Sequence, residues 1–116
     1  MSIALENVVF DSSDATALAT FWAGVLSTEV DAGGNEFFAT VNKAAGGPTL
    51  MFLQVPEPRV GKNRLHLDLA TTDWSTEVDR LITLGAKRHD EHTEYGTHWI
   101  TLADPEGNVF DLAEIH

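Results

Sequence analysis

The chain contains no cysteine, which excludes disulfides, thiolate metal sites and cysteine nucleophiles. Basic residues are scarce: seven Lys and Arg stand against 18 Asp and Glu, a formal net charge of -11. That field repels a phosphate backbone, so nucleic acid is not expected as a partner. Cationic or neutral small molecules fit it better, although such charge also simply keeps a small domain in solution. No apolar run has the length needed to cross a bilayer, so no membrane partner is expected. The opening MSIALENVVFD lacks a basic region followed by a long apolar stretch. The expectation is therefore a chain without a signal peptide, located in the cytoplasm.

What is present is enough for one packed domain. At 116 residues and 43% hydrophobic composition, the chain can bury roughly two-thirds of its unfolded surface. Residues 3–10 form an apolar-rich strand pattern. Asp14 then stands as an N-cap before Leu18, Phe21, Trp22, Val25 and Leu26 at helical spacing. Gly33-Gly34-Asn35 reads as a turn, residues 36–41 as a strand and residues 49–55 as a buried strand.

After the connector PEPRVGKN the pattern restarts. In residues 64–70, Leu65, Leu67 and Leu69 alternate with His66, Asp68 and Ala70. Asp73 is placed to cap a helix carrying Trp74, Val78, Leu81 and Ile82, and Gly85 suits its end. Residues 86–90 and 97–103 follow as strands, with the intervening His- and acid-rich RHDEHTEYGTHW read mostly as a solvated loop. DPEGN is a turn, since Pro105 presets φ and Gly107 tolerates the left-handed region. Residues 109–115 close the chain as a strand.

The two halves are copies. Asn7 precedes Asp14 by the same interval as His66 precedes Asp73, and the pairs lie 59 residues apart. Each copy predicts a strand, a helix and three strands, which makes the class α+β with one helix on the outer face of each sheet. The expected organisation is a single domain, with module one at 1–56, a connector at 56–63 and module two at 64–116.

VVFDSSDATALATFWAGVL, KNRLHLDLATTDW, LITLGAK and above all LADPEGNVFDLAE, in this order and spacing from Leu5 to Glu114, resemble the glyoxalase/bleomycin resistance/dioxygenase group, the vicinal-oxygen-chelate superfamily. The first half is most similar to its small glyoxalase-like members. The resemblance implies two βαβββ modules forming an eight-stranded, half-barrel-like curled sheet with helices outside, enclosing a cleft. It also implies, for metal-dependent members, ligands at the first and last strand of each module. The metal would chelate vicinal substrate oxygens as a Lewis acid.

Those positions fall here on Asn7, His66, Met51 and Asp111, the last two by superposing TLMFL on VFDLA. An Asn amide is a weak ligand and Met a soft one, so His66 and Asp111 are the competent members of the set. Asp111 stands where the family has Glu and falls short by roughly 1.5 Å of reach. A divalent metal is thus compatible with the sequence but not favoured, and no tight constitutive site is expected.

His66 and Asp111 are the catalytic candidates. His66 can act as ligand, as general base or as hydrogen-bond partner to substrate, or it can be a histidine satisfied locally. Asp111, set between Phe110 and Leu112, must be partnered or face water. Asn7, Met51, Trp22, Phe52 and Trp99 are candidates for substrate contact, with the aromatics equally at home in a core. Glu114 and Gln54, three positions beyond Asp111 and Met51, belong to the opposite sheet face.

Two functions follow from the resemblance. One is a glyoxalase-like protein that binds a small molecule between modules, as a lyase, isomerase or oxygenase with a degenerate metal site. The other is a metal-free bleomycin-resistance-type protein that sequesters a cationic small molecule. Uncovered sheet edges make a homodimer the expected assembly in either case.

Overall fold

β1 (Asn7–Ser12) runs into α1 (Ala15–Val25) in the computed structural model, which describes residues 4–58 and 60–115. Ile3, where the predicted strand begins, lies outside the described residues. Asp14 has an extended backbone, and its carboxylate accepts the Ala17 N–H at 3.1 Å. One amide that a helix start leaves unpaired is thereby satisfied. An isolated helix of this length is marginal in water, so α1 depends on its buried face. Leu18, Phe21, Trp22 and Val25 supply that face and pack on β2 (Phe38–Val41) and β3 (Thr49–Gln54).

The chain divides into two compact units, Met1–Pro58 and Arg59–His116. In the first, β3 lies centrally, parallel to β1 and antiparallel to β2. Its core is aromatic. Phe10 stacks on Phe52 at 4.9 Å and meets Trp22 at 5.5 Å, and Trp22 meets Phe21 edge-on at 5.5 Å.

The second unit contains β4 (Asp68–Thr71), α2 (Trp74–Leu84), β5 (Lys87–Glu94), β6 (Thr97–Ala103) and β7 (Val109–Glu114), in sheet order β4-β7-β6-β5. β4 is parallel to β7, and the other neighbours are antiparallel. α2 packs on β4 and β7. It begins and ends 59 residues after α1, the offset expected from the repeat. Asp73 does stand at its N-cap but makes no capping hydrogen bond; its own N–H is instead accepted by Thr71 Oγ1 at 3.1 Å. Gly85, with φ +122°, ends the helix.

The α+β class and the two repeated modules are as expected. The strand count among the described residues is seven rather than eight, in two hydrogen-bonded sheets. The missing strand belongs to the first unit, where the chain after α1 makes a single bridge, Val30 to Val41. Gly33 (φ +93°) and Asn35, whose Oδ1 accepts the Phe37 and Phe38 N–H groups, turn the backbone away before a ladder can extend. A second correction concerns the acid-rich segment read as a loop. The strand expected at 86–90 instead continues through Glu94 as β5, an exposed edge strand with a register shift between Arg88 and Glu91. Charged side chains suit such an edge, because they discourage pairing with another chain.

Candidate functional site

In β7, Phe110 and Leu112 are buried while Asp111 and Ala113 alternate to the other face. Register carries that face across the sheet. Asp111 pairs with Asp68 on one side and Thr101 on the other; Ala113 pairs with Ala70 and Trp99, and Trp99 in turn with His92. The small side chains of Ala70 and Ala113 leave a hollow between larger neighbours. The result is a cavity of about 390 Å³, lined from β4 and the residues before it by His66, Asp68, Leu69 and Ala70. β7 contributes Asp111 and Ala113, and the β5–β6 hairpin contributes Glu94, Tyr95, Thr97 and Trp99.

His66 precedes the ladder rather than sitting inside it, since β4 begins at Asp68. Asn63 holds this approach in place. Its Nδ2 donates to the carbonyls of Leu65 (2.6 Å) and Val109 (3.1 Å), while its Oδ1 accepts the Val109 N–H at 2.8 Å. The Asp111 N–H also donates to the Leu67 carbonyl at 3.0 Å. The Asn63 side chain and this backbone bond together tie the approach to β7 and set the imidazole over that strand.

His66 Nε2 lies 3.1 Å from Asp68 Oδ1 and 3.4 Å from Asp111 Oδ2. Asp111 Oδ1 accepts the Thr101 hydroxyl at 2.6 Å, which orients the carboxylate toward the imidazole. A neutral His66 that donates Nε2–H to these carboxylates keeps Nδ1 as its proton acceptor. One donor atom from each of His66, Asp68 and Asp111 falls within 4.8 Å of the others. Two donors bound side by side on one ion at about 2.1 Å stand roughly 3 Å apart, close to the two His66–carboxylate distances, so the three residues are candidates to hold a divalent cation. Asp68 is the addition to the sequence-based count.

The opposite face carries a different cluster. His98 Nε2 meets Glu91 Oε2 at 2.7 Å, Nδ1 meets Glu114 Oε1 at 3.1 Å, and the ring lies 4.2 Å from that of Trp74. Glu114 thus occupies the face that its spacing from Asp111 predicts. His98 serves as a clamp across β5, β6 and β7, and the pocket is lined without it. Hydrogen bonds to Glu91 and then Glu114 raise its pKa above the ordinary 6.5. A raised folded-state pKa stabilises the fold fully below the unfolded value, and that contribution disappears as pH climbs through the folded one. Thermal midpoints measured from pH 6 to 9 should therefore decline in the wild type more steeply than in His98→Gln. Superimposable profiles would show that His98 does not bind its proton through these contacts.

The candidates named from sequence separate into two groups. His66, Asp111 and Trp99 come together at the pocket. Trp22 and Phe52 are 1% and 0% exposed, inside the first unit's core. Asn7 and Met51 lie on the open face of the first sheet, where Asn7 is exposed and Met51 half-buried; Val9, paired with Met51, stands between them. At the corresponding positions the second unit has His66, Asp68 and Asp111. The donors are thus concentrated in one copy, while the other carries an amide, a valine and a thioether.

Asp68 is legible in the alternation with His66, once that side of the strand is known to face a cavity. Thr101 has no local signal, because only the β6–β7 register brings it to Asp111. Tyr95 and Glu94 enter through the hairpin formed by the edge strand. Among the described residues no helix is long and apolar enough to cross a membrane.

Comparison with known proteins agrees with this architecture. A glyoxalase-like domain model matches residues 7–113. A search of the curated proteins gave no match. Among solved structures, a glyoxalase/bleomycin resistance protein/dioxygenase family enzyme from Burkholderia phytofirmans superposes with a TM-score of 0.79 at 21% identity, covering 98% of this chain and 100% of its own. A fosfomycin resistance protein from Mesorhizobium loti gives 0.75 at 15% identity, with 100% and 95% coverage. The oxidase ChaP-H2 gives 0.70 at 19%, with 100% and 96%. At such identities the structural likeness shows the fold alone. With the match to the family model over nearly its whole length, the chain belongs to the glyoxalase-like domain family.

Proposed function

We propose that the second unit binds a small molecule that presents positive charge to Asp68 and Asp111 and an apolar or aromatic body to Trp99. The composition of the pocket wall carries this reading. Three carboxylates, an indole and a phenol line it, with no lysine or arginine among the described residues. The chain's net charge of -11 adds an attractive long-range field of the same sign. An organic cation would pair with the carboxylates and stack on the aromatic rings. The fosfomycin resistance protein and the oxidase among the structural neighbours support small-molecule handling on this fold.

A second reading has its own observation, the convergence of His66, Asp68 and Asp111. Here the positive charge is a divalent ion held by those three side chains, which would supply Lewis-acid stabilisation to vicinal oxygens of a substrate. His66 and Asp111 would then serve a lyase, isomerase or oxygenase, the glyoxalase-like activities of the superfamily.

Thermal unfolding of chelator-stripped protein separates the two. One arm adds nickel, zinc, manganese or iron(II); the other adds proflavine, a planar organic cation, in the presence of chelator. A ligand at 100 times its dissociation constant stabilises by about 2.7 kcal/mol, a readily measured shift in midpoint. The organic-cation reading expects stabilisation by proflavine that is lost in Asp68→Asn and Asp111→Asn. Stabilisation by metal alone, lost in His66→Ala and Asp111→Ala, would transfer the site to the chelate mechanism. No response in either arm would refute a cation site.

A further inference from the structure

Glu94 pairs with Thr97 across a two-residue turn, Tyr95-Gly96, whose φ angles are +54° and +74°. Two left-handed residues match the twist of an antiparallel hairpin, and the turn strongly favours Asn-Gly, Asp-Gly or Gly-Gly. Gly96 meets that demand freely. Tyr95 does not, because a bulky side chain in the left-handed region crowds its own backbone. Nor does burial offset the strain, for Tyr95 is 96% exposed. Local stability therefore gives no reason for tyrosine here.

The pocket gives one. Tyr95 is part of its lining, beside Thr97 and on the same hairpin as Trp99 and Glu94. Trp99 is backed by the His92 ring at 5.0 Å, so one aromatic surface is braced while the other stands free at the turn. Backbone strain kept in an exposed residue beside a cavity is a signature of function.

We infer that Tyr95 is a ligand-contacting residue, held at the pocket mouth by this turn, whose ring closes on the flat or cationic face of the bound molecule and sets its specificity. The inference rests on the pocket reading above and assigns it a specific side chain. It makes stability and binding move in opposite directions, which a structural role for Tyr95 cannot do.

Proflavine affinity and thermal midpoint are measured for wild type, Tyr95→Asn and Tyr95→Phe. Asn relieves the turn, so the ligand-free midpoint should rise by a few degrees, while affinity falls roughly 3- to 30-fold through loss of the stacked ring. Phe keeps the ring and should bind proflavine nearly as tightly as wild type. Unchanged affinity in Tyr95→Asn, with the wild type binding, overturns the role of Tyr95 and leaves the pocket reading intact. A wild type that fails to bind proflavine at millimolar concentration overturns the organic-cation reading and the Tyr95 contact together.

Discussion

Trp22→Ala is expected to destabilise the protein by about 3–5 kcal/mol, a large part of the roughly 5–15 kcal/mol that holds a domain of this size. Trp22 is 1% exposed and packs between Phe10 and Phe21, with Phe52 completing the cluster through Phe10. Removing the indole deletes its apolar burial and leaves a cavity that a helix pinned on a sheet cannot fully close. Urea unfolding should show a lower midpoint with an unchanged slope. Trp22→Phe keeps most of the volume and should lose less. If alanine left the midpoint in place and weakened ligand binding, Trp22 would be a ligand contact after all, contrary to its burial.

Asp104→Ala should cost a comparable amount, roughly 3–5 kcal/mol, from a residue whose type is usually found at the surface. Its carboxylate is buried and saturated. Oδ1 accepts the N–H groups of Glu106 (2.9 Å) and Asn108 (3.0 Å), while Oδ2 accepts Asn108 Nδ2 at 2.9 Å. Backbone bonds from Asp104 N–H to the Asn108 carbonyl and from Gly107 N–H to the Asp104 carbonyl, each 2.9 Å, close the same turn. Hydrogen bonds to a charged group are worth more than neutral ones, and truncation leaves two backbone donors without this acceptor.

The turn joins β6 to β7 and so sets the register that brings Thr101 to Asp111. Destabilisation should accordingly be accompanied by faster amide exchange along both strands and weakened ligand binding. Asp104→Asn keeps one acceptor oxygen for the two backbone N–H groups but turns an amide donor toward Asn108 Nδ2, so it should fall between wild type and alanine. A midpoint for Asp104→Ala within 1 °C of wild type would refute the claim that this carboxylate holds the turn.

Much of this architecture is legible without coordinates, because it depends on neighbours a few residues apart. The cap at Asp14, the glycine stop at Gly85 and the DPEGN turn are local matters of backbone geometry. Alternation separates His66 and Asp68 from Leu67 and Leu69, and a spacing of three sends Glu114 to the face opposite Asp111. The 59-residue repeat identifies His66 as the position where the second copy gains a donor that the first lacks. Composition, too, speaks directly: an excess of carboxylates and the absence of cysteine limit the chemistry to charge, imidazole and oxygen donors.

Strand register and packing decided the rest. Nothing near Asp111 in the chain marks Thr101 as its partner, or joins His98 to Glu91 and Glu114; those contacts exist because β5, β6 and β7 lie side by side in one particular alignment. Trp22 and Phe52 carry the same residue chemistry whether they line a ligand or fill a core, and only burial distinguishes the two. The acid-rich segment becomes a strand because β6 supplies a ladder for it, despite a composition that disfavours one. Sequence therefore determined the repeating modules, their caps and the nature of the available donors, which short-range sterics and periodicity control. Which donors converge, and on which face of the sheet, was settled only by long-range pairing, where a shift of one residue exchanges one face for the other.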